Sequence, residues 1–463
     1  MRMDGARLSC GWLRGLIRSC QESARRRGRV AATPTAILST PTPTPPTHAW
    51  GVLRQPQFAR YMGGEMISML GTWMQVLAQG WVVTALTTSA FTLGLVNFAS
   101  GLPMLALAMY GGTVADRYDK RRILMATQVV QAALALAVGW LVATGQVQIF
   151  HIVIAGICLG ISTAFEMPAA SALVPELVPR AQLSAAIAVD RSVFHATRLG
   201  GPALGGWVIG QFGTASAFYL NSLTFGALIL ALLTIHPRPR GTAEEERQRQ
   251  TGMRDGIAYV RRDRPTSSMI LLLAFSTVCI SPFFMIMLPL YARHVLHLAA
   301  GQYGVLMAAS GIGAFIGSVW LLSIRQQSRV AWLRAAVATV VVAMASLALA
   351  HSLGHAVASI IVLTLGTSTL FGLANTIVQE RAPDALRGRV SAITGLSFFG
   401  VLPFAGLLVT QFADLAGMRV AMGTAAGGYA VAASWVLHRY RRGALEGLRP
   451  AGATAPGAEE AVP

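Results

Sequence analysis

Six of the seven residues from Asp116 to Arg122 are ionised: Asp116, Arg117, Asp119, Lys120, Arg121 and Arg122, with Tyr118 among them. They follow Gly111 and Gly112 and lie between two apolar stretches, Phe91–Tyr110 and Ile123–Ala143. Each stretch matches the roughly 20 residues needed to cross a bilayer. So dense a charge cannot enter hydrocarbon. The run therefore belongs at a membrane surface, and its surplus of bases assigns it to the cytoplasmic one. Two chemistries are available to it. Small residues such as Gly112 let helix ends approach closely, and an acid followed by bases can act as a switchable latch. A plain topology loop would account for the bases but leave Asp116 unexplained.

A second set of ionisable residues falls inside apolar spans, where such groups are functional candidates by default. These are Glu166, Asp190, Arg191, His195 and Arg198. Arg191, His195 and Arg198 follow the i, i+4, i+7 spacing of one helix face. Glu166 is expected to pair with Arg191 or Arg198 across adjacent antiparallel helices. Two readings stand for that pair. It takes up a proton or opens during transport, with His195 titrating near neutral pH, or it is a static bridge locking two helices together. Glu65, early in the first span, is expected at the interface. Gln75, Gln79, Asn97, Gln128, Asn221 and Asn375 are candidates to line a cavity, although Gln75 and Gln79 would suit a helix contact equally.

The elements that must position these groups are transmembrane helices. Hydrophobic residues make up 54% of the 463-residue chain and charged residues 12%, about half the charged share of soluble domains. The net charge of +18 does not point to nucleic acid, because the bases sit in short loops without interleaved aromatics. Apolar windows give twelve spans: 63–86, 91–110, 123–143, 149–173, 182–209, 216–235, 268–290, 302–324, 331–350, 356–379, 391–412 and 418–437. The expected organisation is a disordered cytoplasmic arm (1–55), a six-helix bundle (56–235), a cytoplasmic linker (236–267), a second six-helix bundle (268–440) and a disordered tail (441–463). With a cytoplasmic amino terminus, 33 of the 37 Lys and Arg residues fall on the cytoplasmic side, so both termini are placed there. Cys10, Cys20, Cys158 and Cys279 have no paired spacing and imply neither disulfides nor zinc. No Gly-Lys-Ser/Thr phosphate loop is present, which removes support for direct ATP drive.

The halves echo each other. Val174-Pro175-Glu176-Leu177-Val178-Pro179-Arg180-Ala181 and Val378-Gln379-Glu380-Arg381-Ala382-Pro383-Asp384-Ala385 share Val, Glu, Pro and Ala at a constant offset, the mark of a transporter repeat. With Leu70–Gln75, Phe165–Pro168 and Arg198–Pro202, these motifs resemble the major facilitator superfamily, in the bacterial branch of siderophore and macrolide exporters, over roughly residues 50–440. The resemblance implies an all-α membrane fold of twelve helices in two pseudo-symmetric bundles. It further implies that Asp116 caps the start of the eleventh helix while the cytoplasmic side is closed, and that Arg117 with Lys120 or Arg121 links to Glu176. Asp119 stands where the family pattern most often has Gly. The second-half counterpart, Gly317 to Arg329, keeps its bases and lacks the acid, so a weaker latch is expected there. Gly200–Gly206, with Gly201, Pro202, Gly205 and Gly206, resembles the fifth-helix motif of drug–proton antiporters; Gly313 and Gly317 offer a similar small-residue face in the eighth span, and the resemblance implies that these two helices meet between the halves.

The combined expectation is a proton-coupled exporter of an amphiphilic, drug- or siderophore-like compound working by alternating access. It is expected in a bacterial inner membrane, monomeric, without cofactor, metal or nucleic-acid partner. The alternatives are facilitated or inward movement of a metabolite, or a sensor of the same fold. No nucleophile–base or metal constellation supports an enzyme.

Overall fold

The computed structural model describes residues 49–236, 253–383 and 386–446. Most of the predicted arm, the Glu244–Glu246 run of the linker, Asp384 and the end of the tail lie outside the described residues. The described chain is helical throughout. In chain order, α1 is Pro56–Leu86, α2 Ala90–Arg117, α3 Lys120–Ala143, α4 Ile149–Leu177, α5 Leu183–Phe212 and α6 Thr214–Thr234. A short helix, Met253–Arg262, precedes α7 (Arg264–Cys279), which continues through short helical turns to Val295. Then come α8 (Ala300–Leu321), α9 (Arg329–Ala348) and α10 (Leu353–Arg381). The last are α11 (Arg387–Phe399, resuming at Leu402–Ala416) and α12 (Met418–Glu446).

Among the described residues, nine helices are long and apolar enough to cross a membrane. The three predicted spans outside that set are less apolar or shorter. α1 is diluted by Gln75, Gln79 and its glycines, and α5 by Arg198, His195 and the Gly200–Gly206 run. α7 runs only from Arg264 to Cys279 before Pro282 and Pro289 interrupt it, since proline lacks the N–H and clashes with the preceding turn.

Several boundaries correct the sequence reading. The charged run is mostly helix: α2 extends to Arg117 and α3 starts at Lys120, leaving only Tyr118 and Asp119 between them. Asp119 is the N-cap of α3, its Oδ1 accepting from the Arg121 N–H at 2.9 Å. α4 and α10 likewise run on to Leu177 and Arg381. Helix geometry does not stop where hydrocarbon stops; polar turns continue in water. Within the predicted arm, Ala49–Arg54 forms a 3-10 turn that buries Val52. The linker contains the Met253–Arg262 helix, and α12 extends six residues into the predicted tail.

Apolar side chains such as Leu223, Leu230, Val342 and Leu408 are exposed on the outside, as a lipid-facing surface requires. Inside, helices meet through small residues, which membrane packing favours. α5 lies on α1, with Gly201 against Trp73 and Gly205 against Met74, and it meets α8 where Gly206 faces Gly304. The fifth and eighth helices thus meet as expected, but not through Gly313 and Gly317. Both lie against α10, at the Ile361 and Leu365 carbonyls, and Gly311 takes the α5 contact at Leu199.

The tightest approach of α2 to α4 is at Gly111, not Gly112. A Cβ on Gly111 would stand 2.0 Å from the Ala164 carbonyl oxygen, whereas one on Gly112 would meet nothing within 4 Å. Gly111→Ala is therefore expected to destabilise the purified protein by about 1–3 kcal/mol. Gly112→Ala should be neutral or gain up to about 1 kcal/mol from helix propensity. Melting temperatures of the two variants check this, and equal shifts would show that α2 can move off α4.

Candidate functional site

The described residues divide the polar groups between two ends and a middle. At the end carrying the charged run, Lys120 Nζ reaches Glu176 Oε1 at 2.9 Å, joining the start of α3 to the end of α4. Arg121 does not take that partner. Its Nη2 donates to the Leu233 carbonyl at 3.0 Å, and Arg60 donates to the Thr234 carbonyl at 3.4 Å. Both cations thus cap the carboxyl end of α6, where a helix favours positive charge. In the other half, Arg329 grips both carboxylate oxygens of Glu380, with Nη2 to Oε1 at 3.0 Å. The repeat read from the sequence therefore places a base at the start of α9 on the acid at the end of α10. Losing the acid of the counterpart loop did not cost the second half this bond.

Asp116 and Arg117 are exposed and make no hydrogen bond or ion pair among the described residues. The start of α11 meets the Met253–Arg262 helix instead. Asp255 lies 3.4 Å from Arg389, and Tyr259 donates its hydroxyl to the Arg381 carbonyl at 2.7 Å. Asp263, the N-cap of α7, accepts two bonds from the Arg381 guanidinium at 3.0 and 2.7 Å. Burial pushes the Asp263 carboxyl up, but the hydrogen bonds from Arg381 and Thr266 more than offset it and hold it below its ordinary value.

The opposite end is closed by a contact the sequence reading missed. Asp414, near the end of α11, accepts from the Ala90 N–H at 2.6 Å, the Phe91 N–H at 3.0 Å and the Ser89 hydroxyl at 2.6 Å. A carboxylate of one half thus caps the amino end of α2 in the other. Below it, Thr410 faces Gly94, Phe404 sits edge-on to Phe98 at 5.4 Å, and Pro403 faces Gly101. Beside it, Arg293 stacks over Trp81 at 5.0 Å and His294 Nε2 lies 3.0 Å from the Thr84 carbonyl, at the carboxyl end of α1. The signal for Asp414 was present: it is the only acid that the expected topology puts on that side.

In the middle, the predicted partners rearrange. Glu166 does not pair with Arg191 or Arg198. Gln128 Nε2 and Gln131 Nε2 donate to its two oxygens at 2.7 and 2.5 Å, so an α3 amide cage holds it. Ser68 of α1 bonds Gln128 in turn at 3.3 Å. Glu65 is half-buried and lies within electrostatic reach of Glu166 and Asp190. Gln75 and Asn221 bond each other at 2.7 Å and are buried, so they serve the α1–α6 contact and not a cavity. Gln131 could have been read from its i, i+3 spacing to Gln128 on an apolar helix. Asp190 and Arg191 are neighbours 3.9 Å apart.

A cavity of about 680 Å³ lies between α5 and helices of the other half; Arg191, His195 and Arg198 line one wall and Asn375, Thr364 and Phe371 another. A smaller cavity of about 170 Å³ lies toward the Asp414 end, where Gln79 and Asn97 are found. Arg198 borders both. Its guanidinium stands 5.8 Å from the Trp73 ring and 5.9 Å from that of Phe284. Among the described residues there is no group of three or more metal-ligating side chains.

Comparison with known proteins agrees with this architecture. The model of the transmembrane secretion effector family matches residues 47–451. The multidrug efflux pump Tap of Mycolicibacterium fortuitum is 24% identical over 360 residues, covering 75% of this chain and 87% of that one. The staphyloferrin A transporter of Staphylococcus aureus is 24% identical over 56% of this chain and 66% of its own. Macrolide efflux protein A of Streptococcus pyogenes is 20% identical over 78% and 91%. Among solved structures, a bacterial homolog of the human lysosomal transporter Spinster, inward-facing and unoccupied, superposes with a TM-score of 0.68 at 14% identity, covering 86% of this chain and 99% of that one. An inward-facing bacterial homologue of ferroportin gives 0.62 at 16% identity, with 82% and 98% covered. These two likenesses speak to the fold alone.

Removing the Asp414 charge should loosen the closed end. Asp414→Asn is expected to cost about 1 kcal/mol of helix-terminus stabilisation, making that end open roughly fivefold more often. The readout is maleimide labelling of Thr410→Cys, added from the Asp414 side, in a background whose four native cysteines are serine. An unchanged labelling rate would reduce Asp414 to a local cap.

Proposed function

Because this chain belongs to the transmembrane secretion effector family, within the major facilitator superfamily and similar to its siderophore and macrolide exporters, we propose that it exports an amphiphilic organic compound in exchange for protons. It is a multi-pass membrane transporter, not an enzyme. In this reading all twelve predicted spans cross a bacterial inner membrane, both termini and the charged run are cytoplasmic, and two six-helix bundles rock about a central cavity. The observation that carries it is that cavity, of a size for a drug-like molecule, lying between two halves pinned together at one end by Asp414.

Alternating access supplies a role for the unpaired acid. With the Asp414 end closed, Asp116 stands free, and rocking would bring it to the start of α11 as Asp414 leaves the start of α2. A carboxylate gains from a helix amino end in either place. The two acids would then alternate, each stabilising the state in which its own end is shut. For coupling, Glu166 is the best-placed proton carrier. Gln128 and Gln131 hold the carboxylate through their amides, and Ser68 of α1 reaches the same cage through Gln128. A small shift of α1 changes that cage, which is what a proton switch requires.

Everted membrane vesicles test the reading with a panel of fluorescent amphiphiles. At least one compound should accumulate, accumulation should stop when nigericin collapses the pH gradient, and Glu166→Gln should lower it at least about tenfold at normal protein levels. Accumulation indifferent to the gradient would favour facilitated movement. No movement of any compound would favour a sensor.

A further inference from the structure

We infer that the cavity is an organic-anion site, with the Arg198 guanidinium as the receptor for a carboxylate on the cargo. This rests on the transport reading and narrows it to one charge class. The ground is an unbalanced charge. Arg198 makes no hydrogen bond or ion pair among the described residues, although it sits within a membrane span. A guanidinium cannot shed its proton to escape the cost. It offers five N–H donors in a fork that fits a carboxylate edge-on.

The carboxylates of the neighbouring spans do not neutralise it. Glu166 is caged by Gln128 and Gln131, Asp190 lies against Arg191, Glu176 is on Lys120, and Glu65 lies toward Glu166 and Asp190. No acid is among the residues lining the cavity. The wall facing Arg198 carries Ser276, Ser318, Thr364 and Ser368, whose hydroxyls already donate to helix carbonyls, and the rings of Phe371 and Phe398. The Trp73 and Phe284 rings lie 5.8 and 5.9 Å from the guanidinium carbon, and among the described residues no acceptor takes its N–H donors. A flat apolar body fits against the rings, and its carboxylate meets the arginine fork. A cationic amphiphile would bring a like charge to the same wall.

The test uses the full chain in lipid nanodiscs, titrated calorimetrically with three probes of one shape: 2-naphthylacetate, 2-naphthylacetamide and 2-naphthylethylammonium. The carboxylate is expected to bind about tenfold tighter than the amide, as one charge-assisted contact warrants, and the ammonium more weakly than either. Arg198→Gln should erase that preference and Arg198→Lys should keep part of it. An unpaired charge is a burden to the fold, so Arg198→Gln should melt no lower than the parent. Equal binding of the three probes, no carboxylate binding at millimolar concentration, or a preference surviving in Arg198→Gln would overturn the proposal. If Arg198→Gln does not fold, the parent and Arg198→Lys decide it alone. Binding needs no gradient. A chain that prefers the carboxylate but moves nothing in vesicles refutes export and spares this inference; one that pumps while showing no preference does the reverse.

Discussion

An ionised or polar group inside hydrocarbon has no water to satisfy it, so it must find a partner in the protein or face a cavity that water or a ligand fills. That constraint orders the interior of this molecule. Glu166 is met by two glutamine amides from α3, and Gln75 by Asn221. Hydroxyls along the helices return to carbonyls a turn earlier, as Thr364 does to Ile360 and Ser276 to Leu272. With these demands met inside each half, the surfaces between halves stay lightly bonded. Among the described residues, Arg198 and His195 have no such partner and face the cavity, while Glu65 stands beside Glu166 and Asp190.

The same constraint works in reverse at the helix ends, where unsatisfied carbonyls and amides collect charges. Arg60 and Arg121 hold the end of α6, Arg419 holds the Ala348 and Ala350 carbonyls at the end of α9, and Asp414 holds the start of α2. Most of these bonds lie within a half. Asp414 is different because it crosses from one half to the other, so it is made or broken by their relative position. The pairs Lys120–Glu176 and Arg329–Glu380 stand at equivalent places and hold each half together internally. Under the proposed alternating access, one acid at each end of the seam, Asp414 and Asp116, would separate the two states by ordinary ion chemistry.

Much was legible in the sequence, and for a simple reason. Hydrocarbon thickness fixes the length of apolar runs, and charge excluded from it collects in the gaps, so spans and repeat follow from composition in windows of about 20 residues. The Glu176 and Glu380 positions were found because a repeat leaves the same residue at the same offset. Boundaries were less legible, since an α-helix continues past the bilayer surface at no penalty. The charged run between α2 and α3 thus shrank to Tyr118 and Asp119.

Partnerships were the part that sequence could not supply. The pattern put Arg191, His195 and Arg198 on one face, and tertiary packing put that face toward a cavity and not toward Glu166. Which glycine faces a backbone, Gly111 or Gly112, depends on the rotation of α2 about its own axis by a single residue's turn. Which acid caps which helix depends on how the halves are tilted. The sequence by itself determined a membrane-embedded helical chain with an internal repeat, because the solvent dictates length and hydropathy. Only the tertiary structure decided which charges are matched and which stay open, because pairing is set by distance across helices that are far apart in the chain.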